Sequence, residues 1–326
     1  MKRLIVLALS VFFWAHASAQ TSGNYPTHPI KVVVPNEAGG TMDVLGRLVA
    51  AQLTVQSGIS TFIDNRPGAN ALIGTIEVAK AAPDGYTVLN VSPSFVLNPL
   101  LAKVDYNPFT SFEPITVLGI GTGYVLAVPQ NLPVNSVAEL IAYANKSKEG
   151  ITYSSPGIGN AIHIASEIFA DKAKIKMLHV PYKSSNSALN ALVGGHVDMM
   201  LLSPATVIPL AAGGKVKILG FTGSKRSKEF PNVPTMQEAG IPDLVIQGTW
   251  VAWFAPAKTP PEVINRLHDE VVKALRDPKV AQALTEGGFE PDGRSPADFR
   301  TFLHQESDRF ARAITRAGIA GPQETK

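Results

Sequence analysis

The sequence contains no cysteine and carries little net charge. Without cysteine, it has neither a disulfide framework nor a residue that could carry a lipid at a cleavage site. Its 29 basic and 26 acidic residues give a net charge of +3, and loss of Lys2 and Arg3 would leave about +1. This balance is not typical of proteins that bind nucleic acids or membrane surfaces, so we expect no nucleic-acid partner.

Common catalytic and metal-binding motifs are also missing. The seven histidines are scattered, and no two of them stand four residues apart to hold zinc on one helix face. There is no G-x-S-x-G elbow and no P-loop. We predict a protein that is not an enzyme, with no catalytic residue, no metal site and no cofactor. A secreted hydrolase using a serine with His163 or His179 is a remote alternative.

A long apolar run stands at the beginning of the sequence. It follows Lys2 and Arg3, covers residues 4–15 and leads into Ala17-Ser18-Ala19. A basic start, a short apolar run and small residues at a cut site are typical of a secretory signal peptide, here residues 1–19. The run is shorter than the roughly 20 residues that cross a bilayer, so we predict no membrane anchor. Export without disulfides predicts a periplasmic location, with full secretion as the alternative.

Apolar runs of strand length alternate with helical patterns along the rest of the chain. This alternation predicts an α/β fold in which mainly parallel sheets are flanked by helices. The predicted strands cover 30–34, 60–64, 86–91, 115–120, 124–128, 151–154, 176–180, 197–202, 216–222 and 248–255. Among the predicted helices are 72–82, 136–146, 161–172, 205–212, 235–239, 260–276, 278–286 and 296–317. The C-terminal helices are expected to pack back on the first domain.

Two glycine-rich turns each connect a strand to a helix. The first runs through Gly39 and Gly40 to Asp43, and the second runs from Ser155 to His163. A helix that begins after such a turn presents unpaired amides to an anion. The alternative is that the glycines only make a tight connection in an α/β domain. His163 either contacts a ligand or braces its turn, and Asp43 is interpreted mainly as support for its own turn.

Two further side chains have structural interpretations. Asp198 lies in an apolar strand, where it is interpreted as a structural partner of a loop. Lys183 is the nearest candidate for its charge partner, but it is interpreted mainly as a solvated loop lysine. Ligands of parallel sheets bind at the carboxyl ends of the strands, where the segment from Ser92 to Ser94 also lies.

Nine short segments along the chain form a recognisable series. They are Tyr25-Pro26-x-x-Pro29-Ile30, Ala38-Gly39-Gly40-x-x-Asp43, Asn65-Arg66-Pro67-Gly68-Ala69, Ala82-Pro83-Asp84-Gly85-Tyr86-Thr87, His179-Val180-Pro181-Tyr182-Lys183, Gly194-Gly195-x-Val197-Asp198-x-Met200, Arg226-Ser227, Val233-Pro234-Thr235-x-x-Glu238-Ala239-Gly240 and Ala255-Pro256-Ala257-x-Thr259-Pro260. In this order they resemble one family, the substrate-binding proteins of tripartite tricarboxylate transporters, also called Bug receptors.

The resemblance implies a periplasmic solute-binding protein with a two-lobed periplasmic-binding-protein fold. The lobes would comprise residues 24–123 with 249–326 and residues 124–248, joined by a two-strand hinge near 122–125 and 247–250. A small carboxylate would bind between the lobes of a monomer, for delivery to membrane transporter components or, alternatively, for detection by a sensor protein. The predicted ligand-binding residues are Asn36, Glu37, Ala38, Gly39, Gly40, Thr41, Met42, Asp43, Ser92, Ser94, Ser155, Gly157, Gly159, Asn160, His163 and Ser203.

The sequence departs from the family pattern beside the first turn. Asn36 and Glu37 stand where the family usually has an aromatic residue followed by a small residue or proline. A carboxylate beside an anion site would repel a second carboxylate on the ligand. We therefore hypothesise a ligand with one carboxylate and a polar or amino-bearing part. The alternative is that Glu37 turns outward to solvent.

Overall fold

The computed structural model describes residues 25–316 and residue 319, so the predicted signal peptide lies outside the described residues. The first half of the chain forms β1 (Ile30–Val34), α1 (Thr41–Ser57), β2 (Thr61–Asn65), α2 (Leu72–Ala79), β3 (Thr87–Val91), α3 (Ser94–Leu101), β4 (Phe112–Gly121), β5 (Val125–Pro129), α4 (Val137–Lys146) and β6 (Ile151–Ser155). The second half forms α5 (Ala161–Ala173), β7 (Met177–Pro181), α6 (Ser185–Val193), β8 (Met200–Leu202), α7 (Pro204–Ala212), β9 (Val216–Phe221), β10 (Trp250–Pro256), α8 (Pro261–Leu275), α9 (Pro278–Glu286), β11 (Phe289–Pro291) and α10 (Pro296–Arg316).

The first lobe is built around a six-stranded sheet in the order β11, β4, β10, β3, β1, β2. Successive residues of β1 enter different cores, because side chains alternate across a sheet. Val32 packs with residues of α1, α8 and α9, and Val33 packs with residues of α2, α3 and α10. A strand that is buried on both faces has a continuous apolar sequence, which is why β1 could be predicted.

The second lobe contains β5 to β9. Strands β8 and β9 pair with β5, and β6 pairs with β7. A parallel bridge between Tyr153 and Met199 joins these two groups of strands. Helices α4 and α5 cover a core that contains Tyr153 and Phe169, and α6 and α7 cover a second core. The second lobe therefore also has helices packed on two faces.

The predicted α/β fold with two lobes is confirmed, and its sheets are mixed in strand direction. Strand β1 is parallel to β2 and β3, and β6 is parallel to β7. Strand β10 is antiparallel to both β3 and β4, and the pairs of β11 with β4 and of β5 with β8 and β9 are also antiparallel. The reason is the path of the chain: β4 leads toward the second lobe, and β10 leads back from it.

The predicted short helix over 235–239 is wrong. Thr235 Oγ1 accepts from the Glu238 amide and Glu238 Oε2 accepts from the Thr235 amide, which is the hydrogen-bonding pattern of a helix start. The segment nevertheless completes only one turn, because Gly240 adopts a φ of 90° and Pro242 follows directly after Ile241. The sequence pattern also did not predict α3, which contains Pro99, or the three-residue strand β11.

The hinge consists of two segments that touch through their backbones. The Gly121 amide donates to the Thr249 carbonyl at 2.7 Å, and the Gly248 amide donates to the Gly121 carbonyl at 2.9 Å. A Cβ atom on Gly248 would lie 2.8 Å from Gly121 Cα, so the two segments cross with no room for a side chain between them. The two segments therefore pair at the place where the hinge was predicted.

Candidate functional site

A cavity of about 610 Å³ lies between the lobes, and small-molecule sites are typically of roughly 300–1,000 Å³. The predicted site residues that line it are Asn36, Glu37, Ala38, Gly39, Gly40, Thr41, Met42, Ser92, Asn160 and Ser203. The lining residues that were not predicted are Pro35, 67–71, Tyr124, Pro156, Ala161, Ile162, 183–186, Leu189, Met200, Leu202, Thr206 and Thr249. Asp43, Ser94, Ser155, Gly157, Gly159 and His163 do not line it.

Four helices begin at the walls of the cavity. First-turn residues of α1, α5 and α6 line it, as do the N-cap residue Ser203 and Thr206 of α7. The first amides of a helix have no partner within the helix and carry a partial positive charge. For the amides of Thr41 and Met42 in α1, the described residues supply no acceptor. The cavity is therefore suited to an anion.

Asp43 fixes the turn before α1 from the side that faces away from the cavity. Its buried carboxylate accepts hydrogen bonds from the Gly39 amide, Arg47 Nε and Asn65 Nδ2, each at 2.9 Å. Burial raises the pKa of Asp43, but the hydrogen bonds from Arg47, Gly39 and Asn65 outweigh burial and hold this pKa below its usual value. Gly39 itself has a φ of 79°, in the left-handed region that favours glycine. The geometry agrees with the structural interpretation of Asp43.

The loop over 67–71 forms another part of the first-lobe wall. Ala69, Asn70 and Ala71 have successive φ values of 47°, 52° and 72°, an uncommon conformation for residues with a side chain. Asn98 holds the loop, since its Nδ2 donates to the Asn70 carbonyl at 2.8 Å and its Oδ1 accepts from Asn70 Nδ2 at 2.7 Å. Ser94 Oγ donates to Asn70 Oδ1 at 3.4 Å, so Ser94 supports this wall from outside the cavity.

The second glycine-rich turn is braced by histidines. His163 Nδ1 accepts from the Gly159 amide at 3.0 Å. Ser155 Oγ lies 2.9 Å from the Gly157 carbonyl and 2.6 Å from His179 Nε2. Of the two roles left open for His163, the structure places it in the bracing role, while Asn160 caps α5 by accepting from the Ile162 amide at 2.9 Å.

Among the described residues, two charged ones line the cavity, one in each lobe. Glu37 belongs to the turn before α1, and Lys183 belongs to the turn between β7 and α6. Lys183 is exposed in this turn, in agreement with its interpretation as a solvated loop lysine, and it also lines the space between the lobes. Asp198 has a structural partner as predicted, but this partner is Thr152, whose amide and hydroxyl donate to Asp198 Oδ2 at 2.7 and 2.8 Å.

Residues 45–319 match the profile of a family described as tripartite tricarboxylate transporter family receptor. The chain belongs to this family. The protein BugT of Bordetella pertussis is 30% identical to the receptor over 322 residues, which is 98% of each chain. The resemblance found in the sequence motifs is thus confirmed, and with it the class of periplasmic solute-binding receptors.

Two solved structures of relatives are of proteins with a small ligand. Rpa4515 of R. palustris, described with adipate, has a TM-score of 0.86 to the receptor at 34% identity, covering 92% of the receptor and all of the relative. MatC of Rhodopseudomonas palustris, described with bound malate, has a TM-score of 0.80 at 28% identity, covering 89% of the receptor and all of the relative. Adipate and malate are both small dicarboxylates.

The receptor does not place Ser155 and His179 as a hydrolase would. A carbonyl oxygen can only accept, so the Ser155 hydroxyl donates to Gly157 and receives a hydrogen bond from His179 Nε2. The hydroxyl hydrogen is thereby engaged by the backbone, and neither residue lines the cavity.

Within residues 25–316, no group of three histidine, aspartate or glutamate side chains is arranged to hold a metal ion. No helix in that range is long and apolar enough to cross a bilayer.

Behind the second turn, Tyr153, His179 and His163 form a stack. The ring centroids of His163 and His179 are 4.0 Å apart, and those of Tyr153 and His179 are 4.9 Å apart. Burial lowers the pKa of His163 to about 4. Burial and the neighbouring His163 lower the pKa of His179 to about 4. Both imidazoles are therefore neutral at pH 7.

We expect this stack to make the stability of the receptor depend on pH. Between about pH 6.5 and pH 4 the unfolded chain binds protons that the folded chain does not, so the free energy of unfolding should fall as the pH falls through this range. The double variant His163→Asn/His179→Gln, which keeps an acceptor near Nδ1 of His163 and a donor near Nε2 of His179, should show a flatter dependence. Urea unfolding at pH 4, 5, 6 and 7 measures both slopes, and equal slopes would contradict the prediction.

Proposed function

We propose that this receptor binds a small organic acid in the cavity between its lobes and delivers it to a tripartite tricarboxylate-type transporter in the periplasm. The observation that carries the proposal is the convergence of four helix N-termini on one cavity. Backbone amides at helix starts are oriented before binding, and they favour negative charge. Membership of a receptor family supports the delivery step.

The carboxylate would be held by groups from both lobes. In the first lobe the Thr41 and Met42 amides are directed to the cavity by the turn that Asp43 fixes. In the second lobe the start of α5 and the ammonium group of Lys183 add positive charge. A ligand that contacts both lobes binds a closed form more tightly than an open one, and therefore shifts the population toward closure.

We assign the lobes to residues 24–123 with 249–326 and to residues 124–248. The crossing of Gly121 and Gly248 supports a bend between the two lobes. The two segments meet there through backbone atoms alone, so they form one narrow connection between the lobes. A monomer that opens and closes at this hinge, with a cleaved signal peptide and no membrane anchor, accounts for the proposed activity. Capture and release of a ligand need no catalytic residue. The ligands named for Rpa4515 and MatC, adipate and malate, support a carboxylate as the class of ligand.

A melting-temperature screen tests this function. The purified protein is mixed with small mono-, di- and amino-carboxylates, including adipate and malate, and with the methyl ester of each acid that stabilises it. At a hundredfold excess over Kd, a true ligand should add about 2.7 kcal/mol to the free energy of unfolding. The ester should add far less, because it has lost the charge that the helix N-termini bind.

Titration calorimetry with the best acid then tests the assigned site. Lys183→Gln should weaken binding about tenfold, in line with loss of a charge-assisted hydrogen bond. The exposed Lys148 lies outside the cavity, so Lys148→Gln is a control of equal charge change and should bind as the wild type does. If no acid stabilised the protein, or if acids and esters did so equally, the proposal would be wrong.

A further inference from the structure

The two charged side chains that line the cavity have opposite signs and stand in opposite lobes. Glu37 lies on the wall of the first lobe, and Lys183 lies on the wall of the second. They form no ion pair with each other. A ligand placed between them therefore meets a negative group on one side and a positive group on the other.

The wall around Glu37 is negative. Glu37 is exposed in the cavity, and among residues 25–316 no side chain donates to its carboxylate. Beside it, Asn36 Oδ1 is buried and meets no donor from these residues, so its negative partial charge is not compensated. This end of the cavity therefore favours a positively charged group on the ligand.

A simple dicarboxylate does not satisfy this wall. One of its carboxylates can bind at the helix N-termini, but the other would lie near Glu37 and Asn36 Oδ1, which both repel negative charge. Like charges brought together across a binding interface oppose association, and opposite charges favour it. An ammonium group at this end would donate to the Glu37 carboxylate and would balance its charge.

We propose that the receptor selects a carboxylate that also carries an ammonium group, with the ammonium group at Glu37 and the carboxylate at the helix N-termini and Lys183. This inference rests on the proposed function, since it assigns the class of acid that the same cavity binds. Glu37 is then the residue that discriminates amino-carboxylates from dicarboxylates. The lining of the second lobe serves both classes.

The experiment compares pairs of probes that differ in one end group. Titration calorimetry measures Kd for 4-aminobutanoate against succinate, 5-aminopentanoate against glutarate and 6-aminohexanoate against adipate, and for the α-amino acids of the same chain lengths. In the wild type, the best amino-carboxylate should bind at least about tenfold more tightly than its dicarboxylate, as expected for one charge-assisted contact. Glu37→Gln should remove this preference by weakening the amino-carboxylate and strengthening the dicarboxylate.

The exposed Glu149 provides a matched control, because Glu149→Gln changes the net charge equally but lies outside the cavity and should keep the wild-type preference. Tighter binding of the dicarboxylates by the wild type, or a preference that survives Glu37→Gln, would overturn the inference and leave the proposed function standing. Binding of neither member of any pair would contradict the proposed function itself. The two failures are therefore distinguishable.

Discussion

Replacing Asp43 by alanine should lower the free energy of unfolding by about 3 kcal/mol and weaken carboxylate binding at least tenfold, since each hydrogen bond to a charged group contributes roughly 1.5–3 kcal/mol. The carboxylate is the common acceptor for the Gly39 amide and Asn65 Nδ2, and both of these bonds are lost in the variant, while Asn65 Nδ2 keeps its bond to the Asn36 carbonyl. Arg47 is half exposed, so water can solvate its guanidinium group. The affinity falls because the turn that presents the Thr41 and Met42 amides is no longer held.

Urea unfolding and titration calorimetry measure these two effects. Because the folded-state pKa of Asp43 is lowered, its stabilising contribution is present above about pH 3.9, the unfolded value, and is lost as the pH falls through the folded value. The stability difference between wild type and Asp43→Ala should therefore shrink below pH 4. Asp308 is an exposed helical aspartate, and Asp308→Ala should change stability by less than about 0.5 kcal/mol. Equal losses in the two variants would refute the role given to Asp43.

Replacing Gly248 by alanine should lower the free energy of unfolding by about 2 kcal/mol, because overpacking a tight contact typically costs 1–3 kcal/mol. The new Cβ would lie 2.8 Å from Gly121 Cα and 3.0 Å from the Gly121 carbonyl oxygen. These are backbone atoms, so relief requires separating the two hinge segments and stretching the hydrogen bonds between them. Ligand affinity should change as well, since this crossing sets how the lobes meet.

Gly58→Ala supplies the contrasting control. Gly58 has a φ of 66°, and a Cβ there would meet no atom within 4 Å, so this variant carries a conformational cost of about 1 kcal/mol without a steric clash. It lies far from the hinge and should leave affinity unchanged. Denaturation and calorimetry on both variants separate the two causes. An affinity that is unaltered by Gly248→Ala would show that the close crossing does not control the lobes.

The sequence was sufficient to predict features that depend on neighbouring residues. The apolar run of β1 and the glycines before α1 are local signals, and they placed the first wall of the cavity correctly. The supporting role of Asp43 follows from its position in the first turn of α1, four residues after Gly39. Local signals also located the turn from Ser155 to His163, although the glycines there proved to support the cavity rather than to line it.

The remaining parts of the site depend on contacts between distant segments. Alanine carries no signal for a left-handed conformation, so the shape of Ala69 and Ala71 is visible only once Asn98 of α3 is known to hold that loop. A lysine in a loop likewise gives no indication of which wall it faces. Lys183 became part of the site because the folded chain brings the start of α6 opposite α1.

The position of β10 has a consequence for how the protein is made. This strand lies between β3 and β4 in the six-stranded sheet, yet residues 250–256 follow all the strands of the second lobe. A ribosome that has synthesised β1, β2 and β3 has therefore produced strands whose sheet cannot be completed until much later. The strands of the second lobe are contiguous and are all present once Phe221 has emerged. The lobe that begins the chain is therefore the last that can be completed. Its amino-terminal strands lack a complete sheet during most of synthesis. During that time the unfolded chain can still pass through an export channel.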